Sequence, residues 1–206
     1  MKKNNHGFTL IELLVVMVIS GVVMAGIYSV YYSQQKSYLV QDEVAGMQQN
    51  LRTALFHLSR DIRMAGCDPS GNANAGFTAA TATSVSFTED IRGKDADDPP
   101  DGDTGDTNES VTYSLGGGGL QRNGTVIADN IDALNFVYLN ATGAVTASLL
   151  QIRSVQITIV ARTEKGDPGF TNTTTYRNQQ NDPIYTAPGD NNRRRLLTTN
   201  INCRNL

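Results

Sequence analysis

The stretch that most limits what this chain can become is Gly7 to Tyr32, GFTLIELLVVMVISGVVMAGIYSVYY. After Gly7 it is apolar for about 25 residues, enough to cross a bilayer as a helix at roughly 1.5 Å per residue. One acidic side chain, Glu12, interrupts it. An ionised carboxylate inside a membrane segment costs several kcal/mol, so such a group normally has a partner or a task. A cut after Gly7 would supply the partner. Phe8 would then carry a positive amine one helical turn from Glu12, on the same chain or on a neighbour's.

A short polar leader, MKKNNH, precedes the stretch. Leader, Gly7-Phe8-Thr9-Leu10-Ile11-Glu12 and apolar helix together resemble the prepilin cleavage and methylation signature of type IV pilins and type II secretion pseudopilins. The resemblance implies that a prepilin peptidase cuts between Gly7 and Phe8 and methylates the Phe8 amine. It implies that Glu12 guides the subunit into a helical filament through that amine. The corresponding division is a leader over 1–7, a transmembrane and filament-core helix over 8–32, and a periplasmic globular domain over 33–206. An ordinary secretory signal or plain anchor is the competing reading. Its apolar region would be shorter, would carry no acid and would end in an A-x-A-like site. Lys2 and Lys3 ahead of the helix place the N-terminus in the cytoplasm.

The helical pattern continues past the apolar run. Between Ser33 and Ala65 there is no proline and one glycine, Gly46. Val44, Met47, Leu51, Leu55, Leu58 and Ile62 recur at spacings of three and four, which places them on one face of a helix. The spacing predicts one helix from Phe8 to Ala65, roughly 85 Å long, whose second half (33–65) lays that stripe on a sheet. Gly66 suits the stop and Pro69 forbids continuation. Gly21 and Gly26 permit close packing of helices in a membrane, or a loosening of the helix on assembly. Tyr28, Tyr31, Tyr32 and Tyr38 suit a membrane interface. The segment ending Arg60-Asp61-Ile62-Arg63-Met64-Ala65-Gly66 and a cysteine resembles PilW-type minor pilins and the J-type minor pseudopilins of type II secretion.

Beyond Pro69 the composition turns to strands and loops. Residues 70–82 read as a loop. Ser84–Thr88 alternates as a strand, and so does the run Val111, Tyr113, Leu115. Gly116 to Gly119 make a turn, followed by return strands at Leu120–Arg122 and Thr125–Ala128. Ile131–Leu139, Ser154–Ala161 and Leu196–Cys203 complete the set, with Leu197, Ile201 and Cys203 on one face. Residues 90–110 and 165–192 read as long loops, the first with no apolar periodicity to order it. The fold class is therefore α+β: a pilin fold with one long N-terminal helix, its first half transmembrane, packed on an antiparallel β-sheet.

Composition excludes more than it assigns. Net charge is −3 for the 206-residue chain, and loss of the two leader lysines would make it −5. That argues against non-specific nucleic-acid binding. His6 and His57 are the only histidines, and His57 reads as a surface or packing residue. There is no nucleophile elbow, phosphate loop or His/Cys metal cluster, so no enzyme is expected and no cofactor is required. Asp95, Asp97, Asp98, Asp101, Asp103, Asp106 and Glu109 supply the hard oxygens that calcium takes, and Asp101, Asp103 and Asp106 are the candidate ligands. A solvated acidic loop is the plainer reading. Arg193, Arg194 and Arg195 read as solubilising or as paired with the acidic loops, contact with DNA or an anionic surface being the alternative. The sequons at Asn108, Asn123, Asn140 and Asn172 carry little weight behind a bacterial leader. Cys67 and Cys203 would sit in a compartment that permits disulfides, and a bridge between them would close a long loop, worth roughly 4–5 kcal/mol in the chain-entropy model; two free thiols, one of them buried, are the alternative.

The function expected from the resemblance is that of a minor type IV pilin, cleaved, methylated and built into a pilus or its tip, helping to initiate assembly. A J-type pseudopilin of type II secretion is the close alternative, and a tip adhesin using the long loops is a further one. The partners implied are other pilins and minor pilins, the prepilin peptidase and an inner-membrane assembly platform. The implied location is the bacterial inner membrane, with the globular domain in the periplasm, and then the cell surface.

Overall fold

The computed structural model describes residues 7–95 and 98–206. The leader residues 1–6 and Asp97 of the acidic run lie outside the described residues. A single α-helix, α1, spans Leu10–Met64, two residues inside the expected start and one inside the expected end. The chain divides into two compact units, Met1–Asp42 and Glu43–Leu206.

In the first unit the helix carries no core. Every residue from Gly7 to Leu39 is exposed, including Leu10, Val16, Ile19, Val22 and Met24. Such a length of exposed apolar surface is stable only against lipid or other apolar helices.

In the second unit the expected stripe is the buried face. Met47, Leu51, Leu58 and Ile62 are buried, and Val44 and Leu55 are partly so. Each large aliphatic side chain fully removed from water contributes about 1.5–3 kcal/mol. Ala54 and Ala65 are also at 0 % exposure. These small side chains let the sheet approach the helix closely. Gly66, at φ +77°, ends the helix, and its amide donates to Thr88 O at 3.0 Å. The C-terminal tail closes the same end, where the Asn205 side-chain amide donates to Arg63 O at 3.2 Å.

The strands are β1 (Phe77–Ala80), β2 (Val85–Thr88), β3 (Ser110–Gly116), β4 (Gly119–Arg122), β5 (Thr125–Asp129), β6 (Ile131–Leu139), β7 (Ser154–Arg162), β8 (Thr175–Arg177), β9 (Pro183–Thr186) and β10 (Arg194–Asn202). They form antiparallel sheets of five strands (β1-β2-β3-β4-β5), three strands (β10-β7-β6) and two strands (β8-β9). The first two sheets and the helix stripe share one core that includes Phe87, Tyr113, Leu134, Phe136, Ile157 and Ile201.

Two loops expected from composition contain strands. Residues 70–82 include β1, which pairs Phe77 with Phe87 and Ala80 with Val85. Residues 165–192 include the β8-β9 hairpin. The turn at Gly117-Gly118 has φ of +60° and +81°, the left-handed backbone that a two-residue hairpin turn requires. At Gly119 an added Cβ would collide with Ala128 O, so the register of β4 against β5 needs a glycine there. Among the described residues between Glu89 and Glu109 there is no strand, as expected. Those two acids nevertheless anchor the loop, for Glu89 N donates to Glu109 O at 2.9 Å.

Candidate processing and assembly site

The N-terminal site lies within six residues, Gly7 to Glu12. Gly7 and Phe8 precede the helix and are exposed, Phe8 at 92 %. Thr9 is the last residue before the helix. Its backbone amide donates to Glu12 Oε2 at 2.8 Å, and its hydroxyl donates to the same oxygen at 2.9 Å. In return Glu12 N donates to Thr9 Oγ1 at 3.3 Å. This is a capping box, Thr at the N-cap and Glu three residues on, and it satisfies two backbone donors that the first helical turn leaves open. Leu10 and Ile11 between them are fully available to an apolar surround.

The sequence placed Glu12 one turn from Phe8. The structure adds which way it points. Its carboxylate turns back over the start of the helix and reaches the amide of Thr9, one residue from the Phe8 nitrogen. The helix start itself carries partial positive charge. A carboxylate held there is already placed to meet a cationic amine, should Phe8 become the first residue. The capping role was legible as Thr9-x-x-Glu12 ahead of an apolar run, and the sequence reading passed over it.

The other candidate residues lie in the second unit. Asp101, Asp103 and Asp106 each offer an oxygen within 4.8 Å of the other two. Two of them are engaged in local turns, Asp101 Oδ1 accepting from Asp103 N at 3.2 Å and Asp103 Oδ1 from Gly105 N at 2.8 Å. Asp106 titrates above its ordinary range, through burial first and then the carboxylates of Asp101 and Asp103. Of the arginine run, two members are paired with acids. Arg193 donates to Asp167 at 2.8 Å. Arg194, its side chain 2 % exposed, joins Asp132 at 2.6 Å and Asp190 at 2.5 Å and stacks on Tyr185. These contacts pin the β8-β9 hairpin to the three-stranded sheet. Arg195 is exposed.

The expected Cys67–Cys203 bridge is not formed. Both thiols are free, Cys203 buried and Cys67 half-buried. The reason lies in the path of the tail. Asn205 and Leu206, not Cys203, occupy the helix end at Arg63, Met64 and Gly66. Cys203 stays with β7, its amide donating to Arg153 O at 2.9 Å, and its side chain belongs to the core.

The sequence reading did not mark Asp61, among other charged residues, as buried. Asp61 is 4 % exposed and accepts from Arg60 and Arg122 at 2.7 Å each and from the Tyr113 hydroxyl at 2.8 Å. Burial alone would raise its pKa, but Arg122, Arg60 and Tyr113 hold it below the ordinary value. The signal was present: 51, 54, 58, 61 and 65 continue the three-and-four spacing, so Asp61 stands where the pattern assigns a core residue.

The comparisons with known proteins agree with this geometry. Residues 2–28 match the prokaryotic N-terminal methylation motif. Residues 110–205 match the Type IV Pilus-assembly protein W family. Among solved structures, the chain is similar to the type IV-like pilin TTHA1219 from Thermus thermophilus. That likeness has a TM-score of 0.51 at 14 % identity and covers 77 % of this chain and 97 % of that one; at this identity it speaks for the fold. No curated protein matches. The fold is pilin-like, and an exposed apolar helix long enough to cross a membrane begins within the methylation motif. Over residues 2–28 and 110–205 the chain carries the methylation motif and the PilW-type domain of type IV minor pilins, which are structural rather than catalytic proteins.

Proposed function

We propose that this chain is a minor type IV pilin that is cut between Gly7 and Phe8, methylated on the Phe8 amine, and incorporated into or at the tip of a pilus, where it helps to start assembly. It would wait in the bacterial inner membrane with residues from about 33 onward in the periplasm, and its partners would be other pilins, the prepilin peptidase and the assembly platform. The observation that carries the reading is the Glu12 carboxylate folded back over the start of an exposed apolar helix, one residue from the Phe8 nitrogen. Removing the leader converts that nitrogen to a cation. The pairing then neutralises two charges that lipid would otherwise penalise, and a neighbouring helix can supply either half. Match of residues 110–205 to a pilus-assembly family favours the pilus over a J-type secretion pseudopilin.

The test is a Gly7→Leu substitution in a host with its own prepilin peptidase. The precursor should persist uncut in the membrane fraction and the chain should be missing from sheared filaments. Normal processing of that variant would remove the proposed cleavage position.

A further inference from the structure

Beside the Asp61 hub lies a cleft of about 590 Å³, lined by His57, Arg60, Asp61, Glu89, Arg92 and Arg122 among others. Three of its buried polar atoms have no protein partner among the described residues: His57 Nδ1, Glu89 Oε2 and Arg92 Nε. Buried polar atoms are rarely left unpaired, and three on residues that line one cleft mark it as a place for a ligand. Glu89 is 5 % exposed, so its free oxygen is a built feature and not a surface accident.

The charge of the lining selects the ligand. Three guanidinium groups meet two carboxyl groups, and one of those carboxyls, Asp61, is already saturated by Arg60, Arg122 and Tyr113. Arg60 and Arg122 spend their Nε protons on Asp61. No carboxylate or carbonyl among the described residues takes the Nη protons of either. Arg92 makes no ion pair among the described residues. Glu89 titrates at about 7, pushed up by burial and then by the Asp61 charge, against the opposing pull of Arg122 and Arg60. A neutral Glu89 donates a hydrogen bond, whereas its anion would not welcome a second negative group. A metal cation would face three guanidinium groups and is disfavoured by the same arithmetic of charge.

We propose that this cleft binds an oxyanion, a carboxylate or phosphate group, held by the open guanidinium edges of Arg60, Arg92 and Arg122 and met at its inner end by Glu89 and His57. Guanidinium groups take such planar or tetrahedral oxyanions through paired, charge-assisted hydrogen bonds. The group can arrive as a free anion or as a carboxylate on a neighbouring subunit. The site does not depend on the filament reading, since the first arm of its test needs no filament.

The experiment uses the full chain in detergent, titrated with inorganic phosphate and with citrate, and compares it with Arg92→Met, which keeps the side-chain stem. Saturable binding in the parent, weakened about tenfold or more in the variant, a factor worth about 1.4 kcal/mol, establishes the free-anion source. Binding of sulfate, whose charge is constant over this range, should weaken more between pH 6 and pH 8 in the parent than in Glu89→Gln, as Glu89 loses its proton beside Asp61, His57, Glu109 and the three arginines. If neither anion binds, yet Arg92→Met melts like the parent and is lost from sheared filaments, the carboxylate comes from a neighbour. Binding equal in parent and variant means an adventitious ion only and overturns the proposal. So does the absence of binding together with normal filament incorporation of Arg92→Met.

Discussion

Thr9 and Glu12 close on each other at the start of α1, the Thr9 amide and hydroxyl both donating to Glu12 Oε2, at 2.8 and 2.9 Å. Under the proposed function one carboxylate serves twice, capping the helix and meeting the Phe8 amine, and substitutions separate the two roles. Glu12→Gln keeps an oxygen for the cap but carries no charge. Thr9→Ala removes the cap and costs the helix about 0.5–2 kcal/mol while leaving the charge. If charge pairing drives docking, Glu12→Gln and Glu12→Ala should both be cleaved normally and both be depleted from sheared filaments on immunoblots. Thr9→Ala should still be incorporated. Normal incorporation of Glu12→Gln would reduce the residue to a cap.

Asp61 ties the helix to β3 and β4 through Tyr113 and Arg122. Removing one partner of a buried pair leaves the other without compensation. Asp61→Asn should destabilise the globular unit by about 2–3 kcal/mol and Tyr113→Phe by about 1 kcal/mol, read as shifts of the denaturant midpoint. The Asp61 pKa is lowered in the fold, so its contribution is present above the unfolded value near 3.8 and is lost as pH falls below it. A neutral outcome for Asp61→Asn would contradict the hub.

Glu89 acts with the opposite sign. Its pKa rises from 4.5 in the unfolded chain to about 7 in the fold. Stability is then highest below the unfolded value, declines as pH climbs from about 4.5 to about 7, and is level above. Glu89→Gln should stabilise the protein at pH 8 by about 1–2 kcal/mol, less than the full linkage value because water reaches the cleft, and should make no difference near pH 4. Melting curves at both pH values check this. An equal effect at the two would refute it.

The thiols give a chemical test. Burial pushes Cys203 up to about 11, and burial with the Glu89, Asp90 and Asp68 carboxylates raises Cys67. Both should resist iodoacetamide at pH 7.5 in the folded protein and both should be alkylated once it is denatured without reductant. Denatured protein that takes up no label until reduced would show a bridge in place of two thiols.

Much of this architecture was legible in sequence because its signals are local. The stripe from Met47 to Ile62 reports its helix by spacing, and Ile131–Leu139 and Ser154–Arg162 report their strands by alternation. β1 escaped notice because Phe77-Thr-Ala-Ala holds one large apolar residue. It is a strand because β2 offers it a paired edge. The β8-β9 hairpin is polar and short, and it is fixed by Arg194 against Tyr185 and by Asn178 donating to Asn135 across 43 positions, contacts that no window of sequence displays. The N-terminal site was the clearest part, since its chemistry sits within six residues. The cleft at Glu89 was invisible, its members being drawn from the helix, the loop after β2 and β4.

The most direct measurement is the intact mass of the protein recovered from sheared filaments and from membranes of its own host. The account predicts a chain beginning at Phe8 with one added methyl group in the filament fraction. A full-length or differently cut chain confined to the membrane would contradict it, leaving Gly7–Tyr32 as an anchor and Glu12 as a helix cap.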